Sequence, residues 1–278
     1  MISSSLQVHY YLFGVAFGVV ALYSLLSIIR LWKRKHLLSQ PYFISLNILV
    51  FLMGALRSIF LLVDAYNTRN TFPPLVAYIM YTLFLPSVTS AFSLLFMSLL
   101  AATRMQFISP SIQKVKVIVF IIVVHFGLAI TADILTAAHL DARIVLFVCQ
   151  MFYIIWGLFL FVGFMYLFGQ LYKAAKDRQV LMNKYAMKKL GVPASKQNQK
   201  PEHHKLTLSL GTILTLISSI LGFLTVVLLI YGMADVYGVF EKTKTPEAWR
   251  WWGYHTAFRA LELAICITMS YIATQPFR

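Results

Sequence analysis

Four charged side chains stand well inside otherwise apolar stretches of this sequence, away from the stretch ends: Arg57, Asp133, Arg259 and Glu262. At a bilayer centre each would cost at least about 2.5–3.5 kcal/mol, so charges retained there pair with one another or line a cavity. Arg259 and Glu262 are three residues apart and can pair along one helix. His255 joins them on a stripe about 60° wide at the helical period. That pairing leaves Arg57 in excess, with Asp133 or Glu262 as partner. Two readings of the set stay open. It can converge on an outward-facing polar cavity that takes a ligand or ion. It can equally be a network of buried ion pairs that fixes helix register, with Arg57 snorkelling towards the interface. His125, eight residues before Asp133, is a candidate proton relay or a hydrogen-bonded packing residue.

The elements that carry these residues are seven apolar runs, at 8–29, 42–63, 75–102, 115–138, 144–171, 206–233 and 253–273. Each is about the 20 residues that a helix needs to cross a bilayer core. Hydrophobic residues make up 60% of the chain and charged ones 12%, far from the balance of a soluble protein. The expected fold class is therefore all-α, a polytopic bundle of seven transmembrane helices forming one membrane domain.

Basic residues orient the bundle. With the N-terminus outside, 17 of the 24 Lys and Arg residues fall on the inner side, most of them in the connection 172–205. Such an excess marks the cytoplasmic face, which predicts an external N-terminus and a cytoplasmic C-terminus. The formal charge of +15 then points to anionic lipid headgroups and away from nucleic acid. At a rise of about 1.5 Å per residue, Arg57, Asp133 and Arg259 lie roughly 7–9 Å below the outer ends of their helices, and Glu262 roughly 13 Å. All four share the outer half of the membrane. No cleavable signal peptide is expected, because a short uncharged tail runs straight into a full-length span.

Within the spans, Pro86 should kink the third helix and free backbone carbonyls. Asn47 should bond across helices, and Gly14 and Gly18 form a GxxxG step that favours close approach. The first half of the basic loop keeps helical composition, so the fifth helix should continue past the membrane. The second half, from Gly191 to Pro201, is polar and punctuated. This loop could bind lipid headgroups or a cytosolic protein, or could simply be a solvated helix end. Cys149 and Cys266 lie in spans and form no external disulfide framework.

Several functions lose ground on residue types. The third helix ends Ala101-Ala102-Thr103-Arg104, without the acidic-Arg-aromatic switch of rhodopsin-like receptors, and no lysine stands in the seventh helix to carry a retinal. A zinc hydrolase needs several histidines and an aspartate near one membrane face, whereas His9, His36, His125, His139, His203, His204 and His255 are scattered. Neither a metal nor a cofactor is expected, and catalysis is not. No internal repeat of the kind common in secondary carriers is evident.

Helix two with its outer loop reads Gly54-Ala55-Leu56-Arg57-Ser58 and then Leu61-Leu62-Val63-Asp64-Ala65-Tyr66. Helix three reads Leu85-Pro86-Ser87, then Ser90-Ala91-Phe92-Ser93-Leu94, then Ala102-Thr103-Arg104. Over roughly residues 41–171 this resembles the seven-helix region of the proline-rich transmembrane protein family. More distantly, it is similar to plant tobamovirus-multiplication membrane proteins and to orphan-receptor-like lysosomal proteins, which carry an arginine late in helix two. The resemblance implies a multi-pass membrane protein with no established ligand or catalytic activity, and singles out Arg57. Members usually carry a long Ser/Pro-rich region outside the helices. This chain has none, so a short relative or a piece of a longer protein is expected.

The expected function is receptor-like: sensing a small polar or anionic ligand, or a lipid headgroup, near Arg57, Asp133, His255, Arg259 and Glu262. The basic loop 172–205 would engage lipid or a cytosolic partner, in the plasma or an endolysosomal membrane. The alternatives are a transporter or channel with Asp133, His125 and Glu262 as relay groups, and a trafficking scaffold with purely structural charges. The orientation has a direct test, in protein whose Cys149 and Cys266 are replaced by alanine. In sealed microsomes a membrane-impermeant maleimide should reach a cysteine placed at Lys200 and spare one placed at Lys244; the opposite labelling would invert the bundle.

Overall fold

The computed structural model describes residues 2–33, 40–103, 115–138, 143–189, 210–236 and 247–274. Among the described residues the fold is all-helical. Its long elements are α1 (Ile2–Trp32), α2 (Gln40–Asp64), α3 (Pro74–Thr82), α4 (Phe84–Thr103), α5 (Val115–Ala137), α6 (Arg143–Lys189), α7 (Leu210–Tyr231) and α8 (Ala248–Ala273). Six stretches are long and apolar enough to cross a membrane: one each in α1, α2, α6, α7 and α8, and one running through α3 and α4 together. A shorter apolar stretch, Ile122–Ala137 in α5, accompanies them.

Apolar side chains cover the outside as well as the inside. Val8, Leu12, Val15, Val19 and Leu22 of α1 are exposed along one side, as are Ile155, Phe159 and Val162 of α6. A helix that is apolar all round belongs in a core or a membrane. The polar groups are turned inward instead, which suits a bundle whose surroundings are hydrocarbon.

Small residues set the closest helix contact. α1 lies along α2, and Gly14, Gly18 and Gly54 sit where the two backbones approach. A Cβ on Gly54 would stand 2.9 Å from the Phe17 carbonyl oxygen and 3.2 Å from the Ala21 Cβ. One on Gly18 would stand 2.9 Å from the Ser58 hydroxyl oxygen. Gly14 and Gly18 of α1 thus make room for Leu62 and Ser58 of α2, and Gly54 of α2 makes room for the α1 backbone at Phe17 and Ala21, a small-residue arrangement that lets membrane helices touch.

Neutral polar pairs tie α8 to its neighbours over its second half. Ser24 and Ser270 share a hydrogen bond of 3.1 Å. Ser218 donates to the Thr268 hydroxyl at 2.8 Å, and the Asn47 amide donates to the Ala273 carbonyl at 3.3 Å. Asn47 therefore does link two helices.

The third span is interrupted. Helical segments α3 and α4 meet at Leu83, three residues before Pro86. Proline has no N–H to offer the carbonyl four residues back, and its ring crowds that carbonyl, here that of Thr82. The Ser87 N–H and hydroxyl both donate to the Leu83 carbonyl, at 3.2 and 2.7 Å, and hold the break. The last residues of α3, Tyr81 and Thr82, lie just before it.

Helix α6 is 47 residues long, about 70 Å at the α-helical rise and more than twice a hydrocarbon core of about 30 Å. It runs without a break through the first half of the basic loop. Residues 190–205 of that loop, His36, His139, His203, His204, Arg104 and Arg278 lie outside the described residues.

Replacing Gly54 with valine should lower the melting temperature of the purified protein, because overpacking costs typically about 1–3 kcal/mol. Gly127→Ala, where an added Cβ meets nothing within 4 Å, should leave it unchanged or raise it slightly, since alanine is the better helix former. Equal effects from the two would show that helix approach at Gly54 is not limiting.

Candidate functional site

The charged residues gather at the end of the bundle where α1, α3, α6 and α8 begin. Glu262 of α8 is their centre and is fully buried. Arg57 of α2 reaches it with two nitrogens, Nη2 to Oε1 at 2.7 Å and Nε to Oε2 at 3.0 Å. This is the planar fork that matches guanidinium to carboxylate. Its remaining Nη1 donates to the Met80 carbonyl of α3 at 3.3 Å. Arg259, one turn before Glu262 on α8, donates Nη1 to the same Oε2. One carboxylate thus serves two buried guanidiniums, and the cluster carries one positive charge in excess.

Aromatic rings take up part of that excess. The Tyr81 ring lies 5.5 Å from the guanidinium carbon of Arg57 and 5.5 Å from that of Arg259, and the Phe84 ring 5.0 Å from that of Arg57. Ring faces attract such cations, most strongly where water is excluded. Arg259 Nε and Nη2 have no hydrogen-bond partner among the described residues.

A short loop closes the cluster from above. Asp64, at the end of α2, accepts hydrogen bonds from the Arg69 and Thr71 N–H groups and from the Thr68 hydroxyl, at 3.0–3.2 Å. Asn67 and Phe72 bond to each other in both directions. Tyr66 has a left-handed backbone, φ 57°, unusual for a bulky residue. The loop bonds hold that conformation and bring the Tyr66 ring to 5.0 Å from the His255 ring. Its hydroxyl meets His9 Nε2 at 3.2 Å, and His9 Nδ1 meets the Thr256 hydroxyl at 3.1 Å.

Beside the cluster lies a cavity of about 860 Å³. Arg57, Tyr81 and His255 form part of its wall, while Glu262 and Arg259 sit behind them. Another part of the wall holds Asp133, Cys149 and Tyr153. Asp133 accepts a hydrogen bond from the Thr82 hydroxyl and is paired with neither arginine. The Tyr153 hydroxyl has no oxygen or nitrogen partner among the described residues, and faces the Cys149 thiol.

A family model, the Proline-rich transmembrane protein 3 domain, matches residues 1–278. The chain belongs to the proline-rich transmembrane protein 3 family. No curated protein and no solved structure matches it. Together, the family and the apolar helices make it an integral, multi-pass membrane protein.

In this family member, five residues named from the sequence meet around one volume, but not as one cluster. Arg57, Arg259 and Glu262 form the ionic centre; His255 packs beside it; Asp133 stands apart on the cavity wall. Of the two partners open to Arg57, Glu262 holds it and Asp133 does not. His125 is buried elsewhere. It hydrogen-bonds to the Thr89 hydroxyl at 3.3 Å and packs against Phe152, with ring centroids 4.3 Å apart, and Tyr153, at 5.2 Å. Residues that sequence reasoning passed over include His9, Tyr66, Tyr81, Thr82 and Tyr153. Tyr66 stood in the quoted motif, directly after Asp64, and that acid beside a run of turn formers was an available signal. Among the described residues no group of His, Cys, Asp and Glu is arranged to hold a metal ion.

Removing one member of a buried ion pair leaves its partner uncompensated, at a cost of about 3–5 kcal/mol, whereas replacing the whole group by apolar residues is often neutral. Glu262→Gln should therefore lower the melting temperature sharply. The triple change of Arg57, Arg259 and Glu262 to methionine should recover most of the loss. A triple variant no more stable than the single one would mean that the cluster is itself a main source of stability.

Proposed function

We propose that this protein is a receptor-like seven-helix membrane protein without catalytic activity, its N-terminus external and its C-terminus cytoplasmic. It senses a small anionic or polar ligand, or a lipid headgroup, in the cavity beside Arg57. The observation that carries this reading is the sharing of Glu262 by Arg57 and Arg259 in the wall of, and just behind, an 860 Å³ cavity. An uncompensated positive charge inside a low-dielectric bundle attracts an anion far more strongly than it would in water. The volume is in the range of small-molecule sites, which combine apolar and aromatic walls with few polar groups. With the positive-inside orientation, this end of the bundle faces outward.

Signalling inward would run through α6. Its extension carries Lys173, Lys176 and Arg178 past the bilayer, suited to anionic headgroups or to a cytosolic protein. Nucleic acid has no part in this reading. The membrane is the plasma membrane or an endolysosomal one. A proton-relay transporter is less well supported, because Glu262 is fully engaged by two arginines and His125 lies among packed rings outside the cavity wall.

Purified full-length protein should be stabilised by millimolar short-chain carboxylates, by inorganic phosphate or by short-chain phosphatidate, and the triple methionine variant should not respond. A response to phosphatidate alone would name a lipid headgroup as the ligand. Stabilisation of the wild type by none of the three would overturn the reading. Anion flux into proteoliposomes, absent from the triple variant, would replace a receptor with a transporter.

A further inference from the structure

Resting on the anion reading of this cavity, we infer that its ligand is a zwitterion, with an acidic group at Arg57 and an ammonium group held between Asp133 and Tyr153. The two ends of the cavity differ in sign. At one end two guanidiniums share a single carboxylate, so the local excess is positive. At the other end Asp133, 2% exposed, accepts one hydrogen bond from Thr82 and has no basic partner among the described residues. An ionised carboxylate offers about four acceptor positions, and one hydroxyl leaves most of them open.

The second observation comes from α6. Tyr153 lines the same cavity, is 4% exposed, and among the described residues its hydroxyl faces the weakly bonding Cys149 thiol and has no oxygen or nitrogen partner. Buried hydroxyls are normally satisfied. A carboxylate and an open phenol oxygen on one wall make a receptor for a hydrogen-bond donor with positive charge. An ammonium group supplies three donors and no acceptor. A simple anion at Arg57 would leave Asp133 and Tyr153 as they are, and a simple cation would leave the arginines in excess. One molecule carrying both groups answers both ends.

Spacing follows from α3. Tyr81, between the two guanidiniums, and Thr82, bonded to Asp133, are consecutive residues and point about 100° apart. Across a helix with side chains some 10–12 Å wide, the two poles are separated by on the order of 10 Å. The ligand is therefore extended, with its charges at opposite ends, unlike an α-amino acid whose charges are adjacent. A soluble ω-amino acid fits that chemistry, and so does the ammonium-phosphate headgroup of an ethanolamine lipid.

The test measures binding to purified full-length protein by thermal shift and by calorimetry. The probes are straight-chain ω-amino acids of increasing length, each beside the carboxylate of equal length lacking the amine, and short-chain phosphatidylethanolamine beside the matching phosphatidate. The expected result is that one zwitterion series binds about tenfold or more tightly than its matched anions. That advantage should disappear in Asp133→Asn and shrink severalfold in Tyr153→Phe, with anion binding weakened in neither and tightened, if it moves, by the loss of the Asp133 charge. Tyr153→Phe removes a single oxygen from a packed ring, so it serves even where Asp133→Asn fails to fold. Preference for the amino acids or for the lipid names the source. Equal binding of zwitterions and matched anions, unchanged in the variants, would overturn the inference and leave the anion site standing. Failure of every anion to bind wild type would remove both.

Discussion

One carboxylate in an apolar bundle must satisfy two guanidiniums, and much of this end of the molecule follows from that demand. Glu262 cannot be moved without stranding Arg57 and Arg259, which are 2% and 1% exposed. Three helices are thereby fixed against one another: α8 supplies two members, α2 supplies Arg57, and α3 supplies the Met80 carbonyl and the Tyr81 ring. The arrangement also explains why the surrounding residues are aromatic. Hydrocarbon cannot replace the hydration that a buried charge loses, whereas ring faces offer a cation partial compensation without adding charge.

The break at Leu83 and the loop after α2 serve the same centre from two sides. An unbroken helix through Pro86 would run Tyr81 and Thr82 on a single straight axis with α4, and the proline forbids the hydrogen bond such a helix needs. In the loop, Asp64 gathers the Arg69 and Thr71 N–H groups, and this ordering holds Tyr66 in a left-handed conformation. Strained backbone of this kind persists only where its surroundings over-determine it. Here the surroundings are His9, Trp251 and His255, each in ring contact or hydrogen bonding with Tyr66.

Polar chemistry is divided along α8. Its first half carries the ions; its second half carries neutral pairs, Ser24 with Ser270, Ser218 with Thr268, and Asn47 with the Ala273 carbonyl. Neutral hydrogen bonds between membrane helices contribute on the order of 1 kcal/mol each and impose little desolvation cost. They link α8 to α1, α7 and α2 there. The ionic end costs more to build, and it is the end that encloses the volume.

Much of this was legible in the sequence because the bilayer leaves a chain few choices. Apolar runs of span length imply helices, and charges within spans imply buried partners; Arg57, Asp133, His255, Arg259 and Glu262 were all visible on those grounds alone. The close approach of α1 could be read from Gly14 and Gly18, and the break in the third span from Pro86. What the sequence could not decide was pairing. Arg57 had two carboxylates within reach of its depth, and only the lateral placement of α2 beside α8 gives it to Glu262 and leaves Asp133 with Thr82. Periodicity ranks residues by face and depth along one helix, but says nothing of which helix that face meets. For the same reason Tyr81 and Tyr153 looked like ordinary apolar filling, and His9 like one of several scattered histidines. Their roles depend on neighbours that are distant in the chain, and those neighbours are set by tertiary packing.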